Sequence, residues 1–304
     1  MSTHITRIPH STVLAALDIP NQREFNTCLH PTAELPASYP SATSDDERPF
    51  SYTRWARLIL STRPPTRLQT IHLPARAVRI LLDAAEIGIH TGKIPASSAE
   101  DIADQVLPLF DVEWEDGQFM RLDDCSPKDG ASDDEGKGRA VTSARGAVLR
   151  LVTSLRARSS LLKSTTANVH FVDWDDRMRS EDEYRVFCPP AGVAGVSQYA
   201  WFARWKYADA EEAEQREVVG EIVGGVRRIY GLILCEMRDN PHPRDRELLE
   251  RGLTFDVLFD SPRVELVELN PFGADRNTGS CLFHWVRDHE ALWDTSQVEF
   301  RVAV

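Results

Sequence analysis

The sequence predicts an α+β fold, on three observations. Short strand-like runs recur at 67–73, where apolar and polar residues alternate, and at 118–122, 168–174, 183–187, 193–199, 254–259 and 263–269. A strong helical pattern over 211–237 places Val218, Val219, Ile222, Val223, Val226, Ile229, Tyr230, Ile233 and Leu234 at i, i+3, i+4 spacing. The chain has 304 residues, 42% of them hydrophobic, enough for one large domain or two coupled lobes.

The elements follow in order. Residues 1–49 are rich in Pro, Ser, Thr and Asp and read as an irregular or disordered N-terminal segment; the acidic step Asp45–Asp46–Glu47 reads as a solvated turn. Order begins near Phe50, with helical spacing of Trp55, Leu58 and Ile59 over 50–60. The strand at 67–73 is ended by Pro74, and a helix over 75–85 follows. Ser97 or Ser98 with Glu100 and Asp101 signals the start of a helix reaching about Leu107. After the short strand at 118–122, residues 123–146 lack periodicity and read as a mobile loop; 148–162 is helical again. The strands at 183–187 and 193–199 meet through Pro189–Pro190–Ala191–Gly192, and those at 254–259 and 263–269 through Asp260–Ser261–Pro262, a hairpin.

Composition narrows function. A formal net charge of −12 disfavours broad nucleic-acid binding but leaves ATP open, because a bound divalent cation inverts the local field. The five cysteines are odd in number and widely spaced, with no C-x-x-C, which disfavours a disulfide framework or zinc ribbon and favours reduced thiols in a cytosolic or nuclear protein. No signal sequence and no membrane span are predicted, so the expected location is cytoplasmic and no membrane partner is expected.

The segment TFDVLFDSPRVELVELNPFG, 254–273, carries the chemistry. Glu268 and Asn270 share one strand face. A hairpin loop of odd length centred on Ser261 pairs Asp256 with Leu266, which sets Asp256 on that face, diagonal to Glu268. Two carboxylates and one amide oxygen suit Mg²⁺. An edge hairpin with polar residues facing water fits the same pattern. Pro271 and Gly273 end the strand with its polar pair at the rim.

Two weaker features accompany it. FMRLDDCSPKDG, 119–130, presents Arg121 on a strand and Lys128 and Asp129 on a turn, with Lys137 and Arg139 beyond, one way of holding phosphates; a surface loop fits as well. No Walker-type run occurs. In 182–205, Arg185 sits on an apolar strand and needs an anionic partner if buried, either a phosphate or a structural carboxylate. The aromatic group Tyr199, Trp201, Phe202, Trp205 and Tyr207 reads as core or partner surface.

In order, S-P-K-D-G, E-Y-R-V-F, G-V-S-Q, F-D-V, V-E-L-N-P-F-G and L-F-H-W make this chain resemble the cell division cycle protein 123 family of eukaryotes, over about 50–286. The resemblance implies an ATP-grasp-like fold with two lobes sandwiching a nucleotide between antiparallel sheets. The N-terminal lobe is then 50–165, and the C-terminal lobe, 166–304, carries a hinge strand and the metal-binding hairpin. It implies an ATP- and Mg²⁺-binding, chaperone-like assembly factor for translation initiation factor two, with that factor's gamma subunit as partner. Mg²⁺ contact falls to Asp256, Glu268 and Asn270. ATP contact falls to Arg121, Lys128, Asp129, Arg185, Asp256 and Asn270, with the adenine against Phe171, Val172, Asp173 and Trp174. Arg121 stands where the family has Lys, Glu268 where it has Asp, and a basic pair is replaced near Val172 and Asp173. An ATP-grasp ligase that joins a carboxylate to an amine, and a scaffold without nucleotide binding, are the alternative readings.

Overall fold

The computed structural model describes residues 2–18, 24–36, 49–132 and 140–304. The expectations for Asp45–Asp46–Glu47 and for Lys137 and Arg139 lie outside these residues. In chain order the elements are β1 (Ser2–Ile8), α1 (His10–Leu17), α2 (Tyr52–Ser61), β2 (Leu68–Leu73), α3 (Ala75–Thr91), α4 (Ala99–Gln105), β3 (Gln118–Leu122), α5 (Ala144–Thr153), α6 (Leu155–Leu161), β4 (Ala167–Asp173), β5 (Glu183–Cys188), β6 (Gly195–Gln198), α7 (Glu212–Asp239), α8 (Asp245–Arg251), β7 (Leu253–Asp260), β8 (Arg263–Pro271), α9 (His289–Trp293) and β9 (Gln297–Ala303). The chain divides into two compact units, one of residues 1–50, 54–64 and 177–304, the other of 51–53 and 65–176.

The larger unit is built on a six-stranded sheet, β1-β9-β6-β5-β7-β8. β5, β7 and β8 pair antiparallel, whereas β9 runs parallel to both β1 and β6. β5 is buried along its whole length, and β7 at every position but its last. Strands covered on both faces read as continuous rather than alternating apolar runs, so polar groups on them stand out. α7 packs on β8 so closely that a Cβ on Gly225 would fall 2.2 Å from Val264 Cγ2.

The smaller unit is a three-stranded antiparallel sheet, β2-β4-β3, with helices on one face. Leu73, Met120, Leu122, Val169 and Phe171 meet Val78, Leu81, Val148 and Leu151 of α3 and α5 in its core. β4 is the central strand. It was expected to open the C-terminal lobe, and it belongs instead to this unit.

Three further expectations change. Residues 1–49 are not irregular throughout, since β1 joins the large sheet through β9 and α1 follows it. The helix expected over 148–162 breaks at Ser154, whose extended backbone and side chain, accepting from Ala157 N–H, cap α6. The loop 123–146 is tied at its far end, where Val141 bridges to Gln118 and α5 begins at Ala144 under a Ser143 cap. Among the described residues no helix is long and apolar enough to cross a membrane.

Candidate functional site

β5 and β7 place Arg185 directly across from Asp256. The guanidinium donates to both carboxylate oxygens, Nε to Oδ1 at 2.8 Å and Nη2 to Oδ2 at 2.7 Å. Its Nη1 donates to the carbonyl of Gly279 at 2.8 Å, and it lies 5.0 Å over the ring of Tyr199. Asp256 is 1% exposed and Arg185 7%. An ion pair this deep persists because neutralising either member strands the other. Of the two partners open to Arg185 from sequence, the structure supplies the carboxylate.

Asp256 also stands directly opposite Glu268 on β8. This corrects the expected register. The turn is the two-residue loop Ser261–Pro262, with Asp260 paired to Arg263 and Val257 to Leu266. Continued unbroken, that register sets Asp256 against Val267 and turns Glu268 to the other face. The register shifts between Val257 and Asp256, and Val267 is passed over as a β-bulge. The bulge brings Glu268, and Asn270 two residues on, to the face of Asp256. β8 is the edge strand, and its backbone beside the bulge is satisfied from outside the sheet: Leu266 N–H donates to Thr62 Oγ1 at 2.8 Å, and Arg63 Nε donates to Leu266 O at 3.2 Å.

Asn270 Nδ2 donates to Asp256 Oδ2 and to Glu268 Oε1, each at 3.3 Å. One guanidinium thus faces two carboxylates, and the amide bridges them. Burial, and then Glu268, push the Asp256 carboxyl up from its ordinary range against the pull of Arg185. Arg185 is held well above its ordinary value: burial opposes this, and Asp256 outweighs it. Among the described residues no group of three or more His, Cys, Asp or Glu gathers as a metal cluster. The set here is two carboxylates and an amide, hard oxygen donors that fit Mg²⁺ rather than zinc.

The remaining expected residues lie in the smaller unit and do different things. Arg121 is buried on β3, with its guanidinium 4.5 Å over the ring of Tyr52 and Nε donating to Leu122 O at 3.3 Å. Lys128 is exposed. Asp129 accepts from Ser154 Oγ at 2.5 Å and from Arg156 N–H at 3.3 Å, which ties the turn to the start of α6.

The adenine expectation fits poorly. Phe171 is fully buried, edge-on to Phe110 and Trp114, and Val172 is buried too. β4 is paired on both sides, so its ladder groups are taken. Asp173 N–H donates to Arg67 O and Trp174 N–H to Gly117 O, so neither is open to a base edge. The Asp173 carboxylate accepts from Arg67 N–H at 2.8 Å and Gln118 Nε2 at 3.2 Å. Burial raises its carboxyl, and these donors more than reverse that.

Sequence reasoning missed a second polar cluster, on the far face of the small sheet. His170, 2% exposed and directly across from Arg121, shares Nε2 with Asp123 Oδ1 at 3.2 Å and Thr53 Oγ1 at 3.3 Å; its Nδ1 meets Thr70 Oγ1 at 3.0 Å. Asp123 also accepts from Ser51 Oγ at 2.8 Å and Thr53 N–H at 2.9 Å, capping the start of α2. The strand-like run 168–174 put His170 among apolar neighbours; its partners come from residues 53, 70 and 123, and no local signal shows them.

The aromatics of 199–207 are divided. Trp205 is buried and donates Nε1–H to the Tyr184 hydroxyl at 2.9 Å, whereas Phe202 is 53% exposed. In the closing L-F-H-W, Phe283 and Trp285 pack edge-on against Phe187.

No protein-family model matches the chain, and no curated protein matches it in sequence. Solved structures do match it. The structure of Cdc123 from Schizosaccharomyces pombe superposes with a TM-score of 0.56 at 15% identity, covering 84% of this chain and 96% of that one. This chain has the Cdc123 fold. A C-terminally truncated Cdc123 from the same organism gives 0.54 at 13% identity over the same shares. The α+β, ATP-grasp-like class read from the sequence holds at the level of the fold. Identity this low leaves the Cdc123 likeness a likeness of fold, and what the site does rests on its residues.

Proposed function

We propose that this chain is a Mg²⁺·ATP-binding assembly factor of the Cdc123 kind, with the cation held by Asp256, Glu268 and Asn270. The observation that carries the reading is the register that gathers three oxygen-bearing side chains: Asp256 stands opposite Glu268, and Asn270 lies on the same face and bonds to both. Such hard oxygen donors suit a divalent cation, which brings triphosphate oxygens to an acidic protein. The bridging amide supports it further. Asn270 donates to both carboxylates, and a half-turn about its last torsion exchanges Nδ2 for Oδ1 and completes three oxygen donors. Magnesium, when bound, supplies the positive charge that phosphate oxygens need; the protein's part is to fix the Asp256 carboxyl group through Arg185 and keep Glu268 opposite it. Arg121 and Lys128 are the proposed nucleotide contacts of the smaller unit.

The proposed partner is the gamma subunit of translation initiation factor two, in the cytoplasm, on the strength of the Cdc123 fold and the ordered motifs. Calorimetry with ATP, with and without Mg²⁺, tests the reading. Wild type is expected to bind in a Mg²⁺-dependent manner, and Glu268→Ala and Asn270→Ala to bind about tenfold or more weakly. Absence of Mg²⁺-dependent heat in the wild type overturns it. Capture of the purified gamma subunit that strengthens with Mg²⁺·ATP supports the assembly role. ADP release without any partner points instead to a ligase.

A further inference from the structure

Residues 26–30 run hydrogen-bonded beside the loop 274–285, about 250 positions along the chain. Asn26 N–H donates to Cys281 O at 2.7 Å, Ser280 N–H to Thr27 O at 3.2 Å, Leu29 N–H to Arg276 O at 3.1 Å and His30 N–H to Ala274 O at 2.8 Å. Side chains interlock the same two segments. Thr27 N–H donates to Ser280 Oγ at 2.9 Å, Trp285 N–H to Thr27 Oγ1 at 3.0 Å and Cys281 N–H to Asn26 Oδ1 at 3.2 Å. Thr27 and Ser280 are both 0% exposed. At Gly279 the fit is so close that a Cβ would stand 2.2 Å from Asn26 Oδ1.

The backbone bears the mark of this clamp. Asn26 and Cys281 take left-handed conformations, with φ of 50° and 51°. Asn adopts that region readily and Cys does not, so the conformation at Cys281 is imposed by its surroundings. The clamped loop is also where Arg185 finds its third partner, because Nη1 donates to the carbonyl of Gly279. With Nε and Nη2 committed to Asp256, that carbonyl is the fixed point outside the carboxylates from which the guanidinium is aimed.

We infer that Asn26 and Thr27 are positioning residues for the Asp256 site. They hold 279–281 so that the Gly279 carbonyl aims Arg185 at Asp256, which fixes the carboxylate against Glu268 and Asn270, the residues of the proposed cation site. The cation part of this inference rests on the reading under Proposed function; the aiming of Arg185 does not. An N-terminal strap thereby controls a site on β7 and β8 through the loop it clamps, and whatever displaces the strap weakens the site.

The test follows the Arg185 Nε–H by nitrogen-15 NMR in the full chain and measures its hydrogen exchange. Thr27→Val removes the hydroxyl that Trp285 N–H donates to, and exchange is expected to quicken about tenfold or more as the local opening free energy falls. Thr27→Ser keeps the hydroxyl and is expected to restore slow exchange. Asn26→Ala, which loses a single side-chain bond, serves the same measurement if Thr27→Val does not fold. Unchanged exchange in a folded Thr27→Val or Asn26→Ala protein overturns the inference. Mg²⁺·ATP affinity is the second arm, expected to fall about tenfold in Thr27→Val, as when an outer partner of a metal ligand is lost. If affinity falls while Arg185 exchange does not change, the effect has another route and the inference fails. A wild type that binds no Mg²⁺·ATP removes the proposed function, and Arg185 exchange still decides the strap.

Discussion

Asp123 in the smaller unit and Asp256 in the larger are the same side chain in opposite circumstances. Asp123 is surrounded by donors, His170, Thr53 and Ser51; burial raises its carboxyl, and those donors more than reverse this, holding it well below the usual range. Asp256 has one strong donor, Arg185, and a second carboxylate across the sheet, and burial and that neighbour move it the other way. The first arrangement is complete as it stands and does a structural job, capping α2 and orienting His170. The second brings two carboxylates to face one another, one of them buried against a guanidinium. The difference separates a carboxylate satisfied by donors from one that shares its face with a second carboxylate, the arrangement on which the proposed cation site rests. Counting the neighbouring groups makes the distinction, whereas burial alone does not.

The comparison can be broken at either end. Asp256→Ala leaves Arg185 buried without its partner and is expected to cost about 3–5 kcal/mol in urea unfolding. A loss under about 1 kcal/mol would show that Arg185 finds another anion and that the pair is not the centre of the sheet. Asp123→Asn keeps the shape and removes the charge, with an expected loss of about 1.5–3 kcal/mol, the usual worth of hydrogen bonds to a charged group. A neutral result would make the His170 cluster incidental.

The same residue supplies a pH test. A carboxylate with a depressed folded pKa contributes stability that is present above about pH 3.9 and is lost as pH falls through its lower folded value. Wild-type stability is therefore expected to drop on acidification below about pH 4, and Asp123→Asn to lose that part of the slope. Identical slopes in the two proteins would refute the assignment. Glu268→Gln is the smallest and sharpest change. It removes the carboxylate that faces Asp256, so stability without metal is expected to stay level or rise by about 0.5 kcal/mol. On the proposed reading Mg²⁺·ATP raises the melting temperature of the wild type, and the variant is expected to lose that gain. A variant that loses stability yet keeps the Mg²⁺ effect would place the cation elsewhere.

Much of the fold was legible because its signals are local. The alternation of 67–73, 183–187 and 263–269 and the helical stripe of 211–237 depend on near neighbours, and each appears as an element within a few residues of its expected bounds. β9 carried the same kind of signal, with Val298, Phe300 and Val302 all turned inward, and it was open to the same reading. β1 offered less: its burial is slight and its pairing is parallel to a strand at the other end of the chain. The site was half legible. Asp256, Glu268 and Asn270 were singled out for sharing a face, which is right, by a turn length that is wrong; the partner of Arg185 was narrowed to two possibilities. The adenine strand was placed by resemblance, and no residue there signalled that β4 would be enclosed on both sides.

By itself the sequence determined which segments become strands and helices, and that acidic and amide oxygens cluster on one hairpin, because periodicity and turn chemistry act over a few residues. Tertiary structure alone decided that those oxygens face one another. Thr62 and Arg63 bond the Leu266 backbone beside the bulge at Val267, and Arg185 is aimed by a carbonyl set from Asn26 and Thr27. These contacts join residues between 94 and 255 positions apart, where loop closure offers the chain many partners and only the packed core selects one.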